Sequence, residues 1–176
     1  MRHLITFLFL IIFSFIYNFV SAHGPSRQKV SENISINADP QLVWKIISNF
    51  KKFEWNSNIQ STVASNNNIG SERLIEFKSG EKIKQKLEKV NENKMFMGWR
   101  IIETDNKILP VNSYAAKIFV KKNDDGSSTV NYKAGFYRGF MGNDPPPELN
   151  DENSKKKVQQ FIRQSLEGLK KIAEKN

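Results

Sequence analysis

The clearest structural signal in the sequence lies in residues 150–176, which read NDENSKKKVQQFIRQSLEGLKKIAEKN. Asn150 or Asp151 stands where a helix cap is expected, and a stripe of mainly apolar side chains then recurs three and four positions apart. A stripe of this length has to be buried against another layer, so the sequence predicts a long C-terminal helix packed on a sheet. The stripe consists of Val158, Phe161, Ile162, Ser165, Leu166, Leu169, Ile172 and Ala173.

The residues before this helix supply the sheet. Apolar and polar side chains alternate over residues 29–36 and again over residues 73–136, where short polar turns separate the runs. Between them, Asp39 and Pro40 form a helix start, and Phe53 and Trp55 lie on a second short segment. We predict an α+β protein in which a curved antiparallel sheet of about six or seven strands packs on the long helix, with two short helices after the first strand.

The first residues have the pattern of a secretory signal peptide. A short basic start precedes an apolar run over residues 4–20, and Val-Ser-Ala at residues 20–22 offers small side chains for cleavage after Ala22. The alternative is a retained membrane anchor, because the run of 17 residues is at the lower limit of a membrane span. Cleavage would leave a flexible leader, residues 23–28, and a single domain, residues 29–176, in the periplasm.

The composition excludes several kinds of site. The chain has 176 residues, no cysteine, two histidines and a formal net charge of +9. Without cysteine there is no disulfide, thiolate zinc site, iron–sulfur cluster or cysteine nucleophile. His23 would be the first residue after cleavage and is a weak copper candidate, but a stable site needs further ligands and no other histidine remains. We therefore expect no cofactor and no metal.

Neither catalysis nor nucleic-acid binding is predicted. Runs such as Lys155-Lys156-Lys157 are short and typical of solvated faces, although they could steer an acidic protein partner. The mature chain offers no other histidine as a base, and no motif places two glutamates together. We expect a protein that is not an enzyme and that binds neither nucleic acid nor, once the signal is removed, the membrane.

One set of residues could line a cavity between the sheet and the long helix. Arg73 shares the parity of Ile75 and Phe77, so it either points inward or reaches solvent at its strand end. An inward Arg73, near Gln85, would anchor the polar end of an apolar ligand. The aromatic residues would line such a cavity or simply fill the core. The candidates are Trp55, Arg73, Gln85, Trp99, Tyr114, Tyr132, Phe136 and Tyr137.

A second set lies in the loop before the long helix and could bind a partner. Phe140 and Met141 are apolar residues on a glycine-flanked loop, and the three prolines that follow stiffen the backbone and lower the entropy lost on docking. The alternative is a rigid entry into the helix, with Asp151 and Glu152 complementing its positive end. The partner-binding candidates are Arg138, Phe140, Met141, Asp144, Pro145, Pro146, Pro147 and Glu148.

Several motifs resemble those of known families. The element order over residues 29–175 is similar to the START/Bet v 1-like helix-grip fold of the SRPBCC superfamily. Within it, FEW at residues 53–55 and GSER at residues 70–73 resemble motifs of the polyketide cyclase-like branch. More specific are GFYRGFM at residues 135–141 and NDPPPELNDE at residues 143–152. Together with HGP after the signal segment, they resemble the MxaD-type periplasmic proteins of methanol oxidation.

This resemblance implies a periplasmic, non-catalytic accessory protein that binds methanol dehydrogenase, its cytochrome c acceptor, or both. A carrier of an apolar small molecule is the alternative, and a cyclase-like enzyme is a third. Two residues depart from the family pattern. Asn56 follows Trp55 where relatives often carry His-Pro, and Gln85 stands where the wider branch often has a glutamate able to pair with Arg73.

Overall fold

The computed structural model describes residues 24–53 and 55–175. The predicted signal segment and His23 therefore lie outside the described residues. Two α-helices, α1 (Pro40–Ser48) and α2 (Asp151–Ala173), and one 3₁₀ turn (Pro147–Leu149) accompany a single sheet. Its strands are β1 (Gln28–Ile36), β2 (Ile59–Ala64), β3 (Glu72–Phe77), β4 (Lys82–Asn91), β5 (Phe96–Thr104), β6 (Val111–Lys122) and β7 (Ser128–Arg138).

All neighbouring strands are antiparallel, in the order β1-β7-β6-β5-β4-β3-β2. Strands β2 to β7 form a meander, while β1 pairs with β7 from Gln28 opposite Phe136 to Ile36 opposite Ser128. The β4–β5 register shifts twice, between Lys84 and Gln85 and again after Leu87. Such irregularities bend a strand and increase its twist. The predicted helix-grip architecture is confirmed, with seven strands.

Helix α2 packs on β1, β7 and α1. Its predicted stripe is buried except at Ile172, which is 39% exposed near the helix end. Asn150 caps the helix by accepting a hydrogen bond from the Asn153 amide at 2.8 Å. At Gly168 the helix backbone lies so close to residue 55 that an added Cβ would stand 1.7 Å from the Trp55 carbonyl oxygen. Only glycine permits this approach.

The region after α1 differs from the prediction. One short helix follows β1, with Asp39 capping it through a 2.8 Å bond from the Gln41 amide, but residues 49–53 and 55–58 form turns and bends instead of a second helix. Asn56 explains this difference. Its amide donates to Ser165 Oγ at 2.8 Å and to the Phe161 carbonyl, and its Oδ1 accepts from the Asn58 amide at 3.0 Å. Such side-chain bonds to the backbone compete with helix formation.

Candidate functional site

Arg73 and Gln85 form the polar centre of the protein interior. They lie opposite each other on β3 and β4, with exposed fractions of 2% and 0%. Arg73 Nε and Nη2 both donate to Gln85 Oε1, at 2.9 and 2.7 Å, and Nη1 donates to the Phe50 carbonyl at 3.2 Å. The open question on Arg73 is thus answered in favour of the inward orientation. A fork of this kind requires a planar guanidinium, which lysine cannot replace.

Aromatic rings enclose the Arg73 guanidinium. Its Cζ lies 4.2 Å from the Phe50 ring centroid, 4.3 Å from that of Phe53 and 5.5 Å from that of Trp99. A cation–π contact that is shielded from water can be worth about 2 kcal/mol. The helix-like spacing of Phe50 in the sequence identified it only as a core residue. Nothing in the sequence connects Phe50 or Phe53 with an arginine twenty or more positions away.

Two tyrosines extend this interior. Tyr114 and Tyr132 are 1% and 0% exposed, and their hydroxyl oxygens lie 3.4 Å apart. The Trp99 ring meets the Tyr132 ring edge-on at 5.3 Å, and Tyr114 stacks on Phe136 at 6.1 Å. Burial raises the pKa of both phenols above their ordinary value, with the Tyr132 pKa lowered in turn by its hydrogen bond and by Arg73. Both tyrosines are therefore neutral at physiological pH and supply hydroxyl groups without acting as bases.

Several buried polar atoms in this region have no hydrogen-bond partner among the residues that the structure describes. They include Gln85 Nε2, Trp99 Nε1 and Trp55 Nε1. An orphaned buried donor costs about 1–3 kcal/mol, and such groups in native proteins call for an explanation. The Gln85 amide is the most informative, because its oxygen is committed to Arg73 while its nitrogen is left over. A bound acceptor, such as a carbonyl or carboxylate oxygen, would satisfy these donors.

The structure brings together seven of the eight predicted cavity residues and separates the eighth. Trp55, Arg73, Gln85, Trp99, Tyr114, Tyr132 and Phe136 are all buried, at 4% exposure or less. Tyr137 has the opposite parity on β7, is only partly buried and lies under the Arg27 guanidinium, 5.6 Å from its ring centroid. It therefore belongs to the outer face of the sheet.

The predicted partner-binding loop is built around Arg138, the last residue of β7. Its guanidinium donates to the carbonyls of Phe140 at 2.8 Å and Gly142 at 2.6 Å, and forms a 2.8 Å ion pair with Asp151. Only 7% of Arg138 is exposed, so these bonds lie largely out of water and are correspondingly strong. We call residues 138–152 the braced loop, because this one side chain fixes both of its ends.

Apolar side chains project from the braced loop. Phe140 is 38% exposed and Met141 is 50% exposed. The Phe140 ring folds over Gly142, where an added Cβ would meet a ring carbon at 2.5 Å. Of the remaining predicted residues, Asp144, Pro147 and Glu148 are exposed, whereas Pro145 and Pro146 are partly buried. Loop and helix share Asp151, which lies in the first turn of α2 and also accepts from Gln28 Nε2 at 3.2 Å.

No group of three or more His, Cys, Asp or Glu side chains in residues 24–53 and 55–175 is arranged to hold a metal ion. No helix in the same residues is long and apolar enough to cross a membrane.

Comparison with solved structures finds the same fold elsewhere. A protein from Bacillus thuringiensis superposes with a TM-score of 0.69 and 21% identity, covering 82% of this chain and 98% of its own. The protein XoxI from Bacillus cereus gives 0.69 and 21%, covering 82% and 94%. A protein from Nitrosospira multiformis gives 0.65 and 18%, covering 83% and 96%. At these identities the likeness concerns the fold.

The sequence itself gives the family. A search of curated proteins found no match. Residues 27–174, however, match the family model described as polyketide cyclase / dehydrase and lipid transport. That span contains the whole sheet, both helices, the Arg73–Gln85 pair and the braced loop. The chain therefore belongs to the polyketide cyclase / dehydrase and lipid transport family, a group with the SRPBCC-type fold.

Proposed function

We propose that this chain is an exported, non-catalytic accessory protein of methanol oxidation, which binds methanol dehydrogenase, its cytochrome c acceptor, or both, through the braced loop. The observation that supports docking is the exposure of Phe140 and Met141 on a loop whose ends are both fixed by Arg138. The likeness of residues 135–152 to the MxaD-type proteins supports the choice of partner.

A fixed loop favours docking because little order has to be created when the partner binds. Ordering a rotamer-rich side chain at an interface costs about 0.5–1.5 kcal/mol, and ordering a flexible backbone costs more. Here the Phe140 and Gly142 carbonyls are already bonded to Arg138, and the Phe140 amide donates to the Leu149 carbonyl at 3.2 Å. Phe140 and Met141 therefore present their apolar area in one arrangement.

The test measures binding of purified methanol dehydrogenase and of its cytochrome c to the immobilised mature chain. Phe140→Ala/Met141→Ala should weaken the affinity by about tenfold or more, as truncation of central apolar contacts does. The matched control is Val63→Ala/Ile69→Ala, because these side chains are 67% and 62% exposed in and just after β2, at the other edge of the sheet. Undiminished binding by the loop variant would remove the loop from the proposal, and absence of binding to both partners would refute the proposed role.

A second function is favoured by the orphaned donors of the interior: carriage of an apolar molecule that ends in a carbonyl or carboxylate. Gln85 Nε2 and Trp99 Nε1 would donate to that oxygen next to the positive Arg73. Because the surrounding rings are almost fully buried, entry of a ligand requires them to move.

This carrier function is tested by native mass spectrometry of the protein purified from its own periplasm. A retained small molecule should dissociate on denaturation and be lost from Gln85→Leu, which keeps the volume and removes the amide. A mass equal to that of the bare chain in every preparation would exclude the carrier function.

A further inference from the structure

The outer face of the sheet, turned away from α2, carries many cations, only some of which are paired with carboxylates. On the β3–β5 side, Lys84 pairs with Glu72 at 2.9 Å and with Glu103 at 3.6 Å, and Arg100 pairs with Glu88 at 3.3 Å. On the β1, β7 and β6 side, no lysine forms an ion pair within the described part of the chain; these lysines include Lys29, Lys117 and Lys133.

The uncompensated lysines lie close to one another. Lys117 and Lys133 are direct register partners on β6 and β7. Like charges in directly opposite positions destabilise a sheet. The Lys133 ammonium stands 5.5 Å from the Phe119 ring centroid, which is a weak compensation at an exposed site. An anion placed between the two ammonium groups would relieve this repulsion.

A groove of about 470 Å³ lies beneath these cations. Its floor is made of small residues, including Ser31, Ala115 and Gly135. At one end, Arg27 Nη2 donates to the Gly135 carbonyl at 3.3 Å, and an added Cβ on Gly135 would stand 3.0 Å from that same nitrogen. The absence of a side chain at position 135 therefore gives the guanidinium its place. Of the ten residues that line the groove, four are cationic and none is acidic.

We propose that this basic groove, defined by Arg27, Lys29, Lys117 and Lys133, binds an acidic segment of a protein partner. A concave surface with a floor of small side chains admits a slender extended chain, and the four cations complement its carboxylates. The groove is separate from the braced loop, so this proposal does not rest on the proposed function.

The experiment uses the mature chain and a fluorescein-labelled peptide of alternating aspartate and glycine, with anisotropy measured at low ionic strength. Lys117→Gln/Lys133→Gln should weaken peptide binding by about tenfold, since two exposed charge contacts are lost. The matched control is Lys155→Gln/Lys156→Gln, which removes the same charge from exposed positions of α2 and should change binding by less than about twofold. Gly135→Ala, which displaces Arg27 without changing the charge, should also weaken binding.

Three outcomes would overturn the proposal. The first is an equal loss of peptide affinity in both lysine double variants, which would mean that only the net charge matters. The second is absence of peptide binding. The third is binding to phosphatidylglycerol vesicles, but not to the peptide, that depends on Lys117 and Lys133. The lysine double variant should fold normally, because both side chains are exposed. Removing their repulsion should leave the melting temperature unchanged or raise it.

Discussion

Gly168→Ala is the substitution for which the structure predicts the opposite of helix propensity. In an ordinary helix interior, alanine is about 1 kcal/mol more favourable than glycine. At position 168 the new Cβ would stand 1.7 Å from the Trp55 carbonyl oxygen and 2.8 Å from its carbon, both of them backbone atoms. Even a tight contact of 3.0 Å would require α2 and residue 55 to separate by about 1.3 Å.

Such a separation disturbs more than one contact. The Asn56 amide reaches Ser165 Oγ at 2.8 Å, and an added 1.3 Å would break that bond, which is worth about 1 kcal/mol. Trp55 is only 4% exposed, so overpacking at this contact should lower the free energy of unfolding by about a further 1–3 kcal/mol. After the propensity gain is subtracted, we expect a net loss of about 1–3 kcal/mol, which lowers the melting temperature by roughly 2–12 °C in a domain of this size.

Urea unfolding followed by tryptophan fluorescence measures this loss, because the chain has three tryptophans and Trp55 is at the contact. Glu167→Ala is the control, since it places alanine at the neighbouring exposed position and should change stability by no more than about 0.5 kcal/mol. If Gly168→Ala were as stable as the parent or more stable, the close approach of α2 to the turn at residue 55 would be wrong.

Three further predictions concern the interior and the loop. Arg73→Met and Gln85→Leu should be less destabilising together than the sum of the single variants, with a coupling energy of about 1–3 kcal/mol by urea unfolding, because either single variant already removes both hydrogen bonds of the fork. Additive costs would contradict the fork. Burial raises the pKa of Tyr114 and Tyr132, so the stability that they contribute is complete below pH 10 and is lost as the pH rises above it. In Tyr114→Phe/Tyr132→Phe, the urea midpoint should therefore fall less between pH 9 and pH 11 than in the parent. An equal fall in both proteins would contradict this prediction. Arg138→Lys should accelerate amide hydrogen exchange in residues 139–150 although the charge is kept, because lysine cannot make the several directed bonds of the Arg138 guanidinium. Exchange equal to that of the parent would show that Arg138 does not order the loop.

The elements that the sequence predicts well are those in which one pattern repeats over many residues. The α2 stripe and the alternation in the strands each give many consistent positions. The Asp39-Pro40 pair is typical of a helix start, with Asp39 as the N-cap and Pro40 as the first helical residue. The prediction of a second helix after α1 was wrong because it was based on only two aromatic residues. What determines that segment is Asn56, whose partners Phe161 and Ser165 are more than a hundred positions away.

The candidate sites were predictable only in part, for a similar reason. Parity placed Arg73 on the inner face, but it does not tell whether a long side chain at a strand end stays inside, which is decided by the Gln85 oxygen and the rings of Phe50 and Phe53. For Tyr137, parity relative to Phe136 already indicated the outer face. Arg27 could not have been found, because its place depends on the β1–β7 register that sets it over Gly135.

The two sequence interpretations of the braced loop, partner docking and entry into the helix, describe one structure. Asp151 lies in the first turn of α2, where a carboxylate is favoured by the helix dipole, and the same carboxylate holds Arg138 at 2.8 Å. Arg138 in turn holds the carbonyls on either side of Met141. The order of the loop is therefore set by the start of the helix, whose own position is fixed by its packing on β1 and β7. A docking surface built in this way derives its rigidity from the folded domain, so its affinity should fall with any change that loosens the first turn of α2, even where Phe140 and Met141 are untouched.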